Sequence, residues 1–169
     1  MTPAFRAPDS AGAPDTHRQT DTDLLLKAES LAAASLAGKP ATPLRGRNIG
    51  ILCADAGGSA ATLFASAAAE LGAHVVCIPI TLTDRSSLTV IRETAMLLSR
   101  LYDAVECLDM SPLLVELMQE SADVPLFFGL SSDDHWTAAL ATRMSRRSGR
   151  PSTARRHVLQ AALVQALPS

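Results

Sequence analysis

From about residue 48 onward, short apolar runs alternate with longer segments that have helical periodicity. The apolar runs are rich in β-branched or aromatic residues, which is typical of strands covered by helices, and they lie at 48–54, 74–79, 104–108 and 124–128. The helical segments between and after them lie at 59–72, 87–101, 111–121 and 134–148. This alternation predicts an α/β fold, a four-stranded parallel sheet with helices on both faces.

Several helix ends carry recognisable signals. Ser59 and Ser87 are predicted N-caps, because a serine hydroxyl can accept a hydrogen bond from a free backbone N–H of the first turn. Ser111 is followed by Pro112, which suits the first helical position, and Gly72 predicts a helix stop.

The two ends of the chain differ from this core. Residues 1–20 have few large apolar side chains and three prolines, so we expect a disordered tail. A first helix is predicted from Asp21 or Thr22 to about Leu36. We expect an α/β core over 21–148, followed over 149–169 by a linker and a C-terminal helix that docks on the core.

Composition narrows the class of protein. The 169 residues, 47% of them hydrophobic, allow one domain with a sizeable core. A net charge of −2 gives no general reason to expect nucleic acid as a partner, and no apolar run is long enough to cross a membrane. Three cysteines without metal-ligand spacing (Cys53, Cys77 and Cys107) are predicted to be small buried residues. We expect a cytoplasmic protein without a metal or cofactor.

The stretch "CADAGGSAATLFAS" at 53–66 has the order strand, glycine turn, helix start, which can bind anions through backbone N–H groups. Gly57, Gly58, Ser59 and Ala60 are therefore candidate anion-binding residues. No Lys or Arg occurs from Asn48 to Asp84, however. A plain connection between strand and helix explains the same residues.

Five motifs, in order, resemble one known family. "PLRGRNIGIL", the glycine loop, "AAAELGAHVV", "IRETAMLLSRLYDAVE" and "ADVPLFFGLSSDDH" are similar to the carbamoyl-phosphate domain of ornithine and aspartate carbamoyltransferases, and closer to the ornithine branch. The resemblance covers about Asp21 to Arg147. It implies the fold given above, and transfer of a carbamoyl group from carbamoyl phosphate to an amine, in trimers with active sites between subunits.

The residues that bind phosphate in that family are absent here. Its Ser-Thr-Arg-Thr-Arg loop falls on Gly57, Gly58, Ser59, Ala60 and Ala61, and a further arginine falls on Leu108. Charge-assisted hydrogen bonds contribute roughly 1.5–3 kcal/mol each, so these losses remove on the order of 5–8 kcal/mol. We therefore expect carbamoyl phosphate to bind only weakly, if at all.

The family's later His-Pro-Cys-Gln motif becomes His135, Trp136, Thr137 and Ala138. Only the histidine remains, and the resemblance implies that it polarises the carbamoyl carbonyl. His135 is thus a remnant catalytic candidate, while a helix-terminal surface role is the alternative. Trp136 could equally fill the old site, meet a partner or simply pack.

The end of the chain extends the resemblance. "TARRHVLQAALVQALPS" is similar to the family's final helix, which returns to pack on the first domain, and "RRSGRPS" stands where the amino-acid-binding domain would be inserted. We therefore expect that second domain to be missing.

Two other clusters are read as structural. Asp133, Asp134 and His135 are too close in sequence to converge on one metal ion. The arginines between 143 and 156 could attract an acidic partner or a nucleic-acid backbone. Helix C-termini favour cations in any case, and no aromatic residues interleave to stack on bases, so a solvated basic face is expected.

Our leading hypothesis is a catalytically inactive, carbamoyltransferase-like protein that acts by association. Its partner would be itself, as a trimer, or an active carbamoyltransferase. One alternative is a residual or altered carbamoyltransferase of arginine or citrulline metabolism that uses His135. Another is a small-metabolite binding module.

Overall fold

The computed structural model describes the backbone of residues 14–167 and, within that range, the side chains of all residues except 14–19, 151 and 152. The four strands are β1 (Asn48–Cys53), β2 (His74–Pro79), β3 (Ala104–Cys107) and β4 (Leu126–Phe128). The helices are α1 (Pro14–Leu36), α2 (Ser59–Glu70), α3 (Leu88–Leu101), α4 (Pro112–Gln119), α5 (Trp136–Ser148) and α6 (Pro151–Ala166).

The strands form one parallel sheet in the order β2-β1-β3-β4. This confirms the predicted α/β class and the four-stranded parallel sheet. Each predicted strand and helix is present, and apart from the start of α1 the bounds differ by a few residues at most. The agreement follows from the apolar runs, which are too short for helices, and from the helical periodicity between them.

Each face of the sheet has its own hydrophobic core. On one face, Ile49 and Ile51 of β1 pack with α1, α2, α5 and α6. On the other face, Leu52 of β1 and Val105 of β3 pack with α3 and α4. Alternate residues of one strand thus enter opposite cores, as the two-residue repeat of a strand requires.

The helix starts agree with the sequence at two of three serines. Ser87 accepts a hydrogen bond from Val90 N at 3.4 Å, and Ser111 accepts one from Leu114 N at 3.2 Å. The prediction for Ser59 is wrong, because Gly58 is the N-cap and Ser59 is the first helical residue. Helix α2 therefore begins without a side-chain cap.

Helix α1 is longer than predicted. It begins at Pro14 instead of Asp21 or Thr22, so residues 14–20 of the expected tail are helical. Proline is favourable at the first turn of a helix, where its missing N–H costs nothing. Residues 1–13 of the predicted tail lie outside the described residues.

Strand β2 lies at an edge of the sheet, and this alters one prediction. Cys53 and Cys107 are buried as expected, but Cys77 on β2 is exposed. An edge strand has a neighbour on one side only, so fewer residues cover its side chains. Along the described chain, no helix combines the length and the hydropathy needed to span a membrane.

Candidate functional site

The candidate residues lie at the carboxyl edge of the sheet, where ligands of parallel α/β sheets usually bind. The loop after β1 contains the glycine turn at 54–58, and the loop after β4, at 129–135, leads to His135. The loop after β3 lies between them and contacts the first, since Ala54 N donates to Asp109 Oδ2 at 3.4 Å. The fold therefore brings the predicted site residues to one edge.

The glycine turn is closed by an aspartate of its own loop. Asp55 Oδ1 accepts a hydrogen bond from Gly57 N at 2.8 Å, and Asp55 O accepts one from Gly58 N at 3.2 Å. A Cβ atom at Gly57 would lie 3.3 Å from that carboxylate, and one at Gly58 would lie 3.2 Å from the Asp55 carbonyl. Two N–H groups that could have held an anion thus already have protein acceptors.

The charge around this turn is negative. The Asp55 carboxylate accepts a hydrogen bond from Gly57 N, and the Asp109 carboxylate accepts one from Ala54 N at the start of the turn. A phosphate approaching Ser59 would meet these carboxylates and no compensating Lys or Arg from the segment 48–84. Sequence analysis overlooked Asp55, although an aspartate two residues before glycine is a known signal for a side-chain-closed turn.

The position where the resemblance places a further arginine is part of the core. Leu108 is 4% exposed and packs in the cluster on the α2 side of the sheet. Its backbone N donates to Leu52 O at 2.8 Å. A packed core leucine therefore stands where the resemblance implies a ligand arginine.

His135 is the N-cap of α5. Its Nδ1 accepts a hydrogen bond from Thr137 N at 3.3 Å and lies 2.9 Å from Thr137 Oγ1. Burial, and then the nearby Arg155, lower the pKa of His135 to about 4, while Asp134 opposes the shift. The imidazole is therefore neutral near pH 7. Because Nδ1 accepts, the proton lies on Nε2, which can donate one hydrogen bond.

Trp136 packs partly buried against the core on the α5 side of the sheet, with its ring centroid 5.4 Å from that of His135. Its buried Nε1 has no hydrogen-bond partner among the described residues. The ring therefore covers one side of the imidazole. Of the open alternatives for Trp136, packing is the one for which the structure provides contacts.

Arg155 of α6 holds the loop after β4. Its Nη2 donates to Leu130 O at 3.0 Å and to Ser132 O at 2.7 Å, and its Nη1 contacts Thr137 Oγ1. Both terminal nitrogens are thus engaged with protein acceptors. Arg155 therefore acts as a structural clamp between α6 and the start of α5.

The expected solvated basic face is confirmed for the exposed arginines of the cluster (143, 146, 147 and 150) and is wrong for Arg155, which protein acceptors hold. Three arginines of the cluster also have acidic partners. Arg143 pairs with Asp21 at 3.8 Å, and Arg147 pairs with Glu29 at 3.3 Å. Arg156 pairs with Glu70 at 3.2 Å. The acidic partners come from α1 and α2, far away in sequence, so the sequence pattern could not reveal them.

Glu106 on β3 is a second group that sequence analysis missed. It is fully buried, and its Oε1 accepts hydrogen bonds from Ser131 N at 3.0 Å and Ser131 Oγ at 3.1 Å. Burial raises the pKa of Glu106 to about 8, against the opposing effects of Ser131, Leu130 and Arg155. A single acid inside the apolar run "AVECL" was the available signal.

Glu106 and Arg155 therefore restrain the same loop from opposite sides, through Ser131 and through its neighbours. Two surface cavities of about 400 and 490 Å³ lie elsewhere, and neither is lined by the glycine turn or by His135. No group of three or more His, Cys, Asp or Glu side chains within the described residues could hold a metal ion.

Comparison with known proteins agrees with the resemblance. The ornithine carbamoyltransferase of Actinobacillus pleuropneumoniae is 32% identical over 126 residues, which are 74% of this chain and 38% of that protein. The catabolic ornithine carbamoyltransferase 1 of Staphylococcus epidermidis is 31% identical over 124 residues, 73% of this chain and 37% of that protein. No protein-family model matches the chain.

Solved structures give the same result. Ornithine carbamoyltransferase from Pyrococcus furiosus superposes with a TM-score of 0.66 at 26% identity, over 78% of this chain and 42% of that one. Aspartate transcarbamoylase from Trypanosoma cruzi superposes with a TM-score of 0.62 at 21% identity, over the same shares of the two chains. The chain is therefore related to ornithine carbamoyltransferases over about three quarters of its own length, and it spans about two fifths of theirs. With the aspartate transcarbamoylase it shares the fold.

Proposed function

We propose that this protein is a carbamoyltransferase-like protein without catalytic activity, which acts by association with copies of itself, as a trimer, or with an active carbamoyltransferase. The observation that carries the proposal is the glycine turn. Asp55 occupies the N–H of Gly57, and Ser59 and Leu108 stand where the resemblance implies arginines. Carbamoyl transfer develops negative charge that preorganised cations must stabilise, and this turn supplies a carboxylate.

An exposed apolar surface supports the associative part of the proposal. Val76 is 49% exposed on β2, and Leu97 and Leu101 of α3 are 55% and 54% exposed. Ile78 and Ile80 join the two leucines along the cavity of about 400 Å³. These five residues are called the β2–α3 face below. Clustered apolar side chains at a free sheet edge are typical of a surface that another chain covers.

The test of association is the mass of the protein in solution. We expect the wild type to sediment as an oligomer in analytical ultracentrifugation, and Leu97→Glu to shift it to the monomer, since a charge on the β2–α3 face would have to be desolvated. Leu26→Glu is the matched control, because Leu26 is similarly exposed (57%) on α1, whose core lies on the other face of the sheet. The control should not change the mass.

A native pull-down tests whether the protein also associates with an active carbamoyltransferase. We expect wild type and Leu26→Glu to recover an active carbamoyltransferase from extract, and Leu97→Glu to lose it. A wild type that is monomeric at all concentrations, and that recovers no carbamoyltransferase, contradicts the associative proposal.

One observation favours an alternative, a residual or altered transferase. His135 is neutral and has an Nε2 proton available, so it could still polarise a carbonyl group. Citrulline formation from ornithine and carbamoyl phosphate should then disappear in His135→Asn, because asparagine can still cap α5 but lacks the imidazole. Activity that is absent in the wild type at high substrate concentration eliminates this alternative.

A further inference from the structure

Two thiols lie on the same face of the sheet, one on the edge strand β2 and one on its neighbour β1. Cys53 is the last residue of β1 and is 4% exposed, while Cys77 on the edge strand β2 is exposed. The register pairs Ile51 with Cys77 and Cys53 with Pro79. Cys77 therefore faces the same side as Ile51, and so does Cys53, two residues further along β1.

The two side chains lie close enough to affect one another. Burial raises the pKa of the Cys53 thiol, and contact with the Cys77 thiol raises it further. Strand spacing of about 4.8 Å and a rise of about 3.3 Å per residue put their Cα atoms about 8 Å apart. A disulfide needs at most about 6.8 Å, so an approach of roughly 1–2 Å is required.

The edge strand can make that approach. Strand β2 pairs with β1 on one side, and the sheet order gives it no neighbour on the other. The pairing ends with Cys53 opposite Pro79, and proline has no N–H to donate. The backbone hydrogen bonds between β1 and β2 therefore restrain β2 least near its carboxyl end, which is the end closer to the two cysteines.

We propose that Cys53 and Cys77 form a reversible intramolecular disulfide when the protein meets a peroxide. The exposed Cys77 thiol gives up its proton, and the thiolate attacks one peroxide oxygen, which breaks the O–O bond and gives a sulfenic acid and hydroxide. The hydroxide takes up the proton released by the thiol and becomes the first water. The Cys53 sulfur then attacks the Cys77 sulfur, the S–O bond breaks, and a second water leaves with the proton of Cys53. The two sulfurs lose one electron each, and hydrogen peroxide accepts both.

The third cysteine is an internal control. Cys107 is fully buried on β3 and lies opposite Leu52 of β1. Leu52 and Cys53 are neighbours on β1, so their side chains point to opposite faces of the sheet. Cys107 therefore faces the α3 and α4 side of the sheet, away from Cys53. The folded protein should leave its thiol unoxidised under conditions that couple the other two.

The sequence allows a direct mass-spectrometric test. No Lys or Arg lies between Asn48 and Asp84, so trypsin releases Cys53 and Cys77 in a single peptide ending at Arg85. Cys107 lies in a separate peptide, 101–143. After mild hydrogen peroxide and iodoacetamide in denaturant, we expect the first peptide to lose about 2 Da and to take up no label, because a disulfide removes two hydrogens. The second peptide should be fully labelled.

A cysteine variant and two controls test the order of the two steps, the reversibility of the disulfide and its dependence on the fold. Cys53→Ser should leave Cys77 as a sulfenic acid that dimedone traps, and dithiothreitol should restore both labels in the oxidised wild type. Oxidation in urea should lose the selectivity against Cys107, since the sheet no longer separates the thiols. The proposal is overturned by linked peptides from two chains, by a link between Cys53 and Cys107, or by a Cys77 sulfinic acid beside a labelled Cys53. It does not depend on the proposed function.

Discussion

Two loops at the carboxyl edge of the sheet, after β1 and after β4, are held by different kinds of side chain. The loop after β4 is held by polar side chains, with the buried Glu106 carboxyl and the Arg155 guanidinium both bonded to it. The loop after β1 has small residues and a local aspartate, and it lacks a cation in its own segment. Polar side chains therefore support the fold at the loop after β4, and cations are absent from the loop after β1, where the resemblance implies that they bind phosphate.

The two loops also differ in how much their side chains contribute to the stability of the fold. Arg155 donates to the carbonyls of Leu130 and Ser132, so its removal would take two charge-assisted hydrogen bonds from the loop after β4. Ser59 contributes no cap, and its substitution would remove no recorded hydrogen bond. The predictions below test this difference, beginning with the largest effect.

Replacing Arg155 with methionine should destabilise the protein by about 3–5 kcal/mol. The substitution removes the charge-assisted hydrogen bonds to Leu130 O and Ser132 O, which contribute roughly 1.5–3 kcal/mol each. Urea unfolding measures the free energy. Arg143→Met is the control, because that exposed pair with Asp21, at 3.8 Å, should contribute less than about 1 kcal/mol. Equal losses in both variants would contradict the clamp.

Glu106 should make stability fall as pH rises. Burial raises the pKa of its carboxyl to about 8 in the folded protein, from an ordinary value of 4.5. Its contribution is therefore fully present below pH 4.5 and is lost as the pH rises toward 8, with a slope of at most about 1.4 kcal/mol per pH unit.

Comparing Glu106→Gln with the wild type isolates this slope, since other titrating groups, including His135, are common to both. The difference in urea midpoint between the two proteins should change steadily from pH 5 to pH 8.5. A constant difference over this range would mean that the carboxyl titrates as an exposed one.

Restoring one cation to the glycine turn should recover part of the anion affinity. Ser59→Arg adds a charge-assisted hydrogen bond of roughly 1.5–3 kcal/mol, which corresponds to a gain of about 10- to 100-fold in affinity for carbamoyl phosphate. Ser59 is exposed, whereas an arginine at the buried Leu108 would disrupt the core. Calorimetric titration should show the gain, and Ser66→Arg, further along α2, should not.

The smallest effect separates two serines that look alike in the sequence. Ser87→Ala should cost about 1 kcal/mol, because its hydroxyl caps α3. Ser59→Ala should change the free energy of unfolding by less than about 0.5 kcal/mol, because Ser59 caps nothing. Urea midpoints measured side by side test both, and a larger loss at Ser59 would show a role for its hydroxyl that the structure lacks.

The candidate site was only partly predictable. The glycine turn and His135 stood out because their local order resembles a known arrangement, and both lie at the predicted edge of the sheet. Asp55 could have been found, since its bond to Gly57 spans two residues. Glu106 and Arg155 could not be placed, because their partners Ser131 and Leu130 lie 25 residues away along the chain.

The sequence by itself determined the alternation of strands and helices and the helix starts at Ser87 and Ser111. Periodicity and caps act over a few residues, so the chain carries that information locally. The tertiary structure decided which charges are paired, which carboxyl is protonated and which cysteine is exposed. Those properties depend on burial and on neighbours from distant segments, and only the assembled sheet and its helices bring them together.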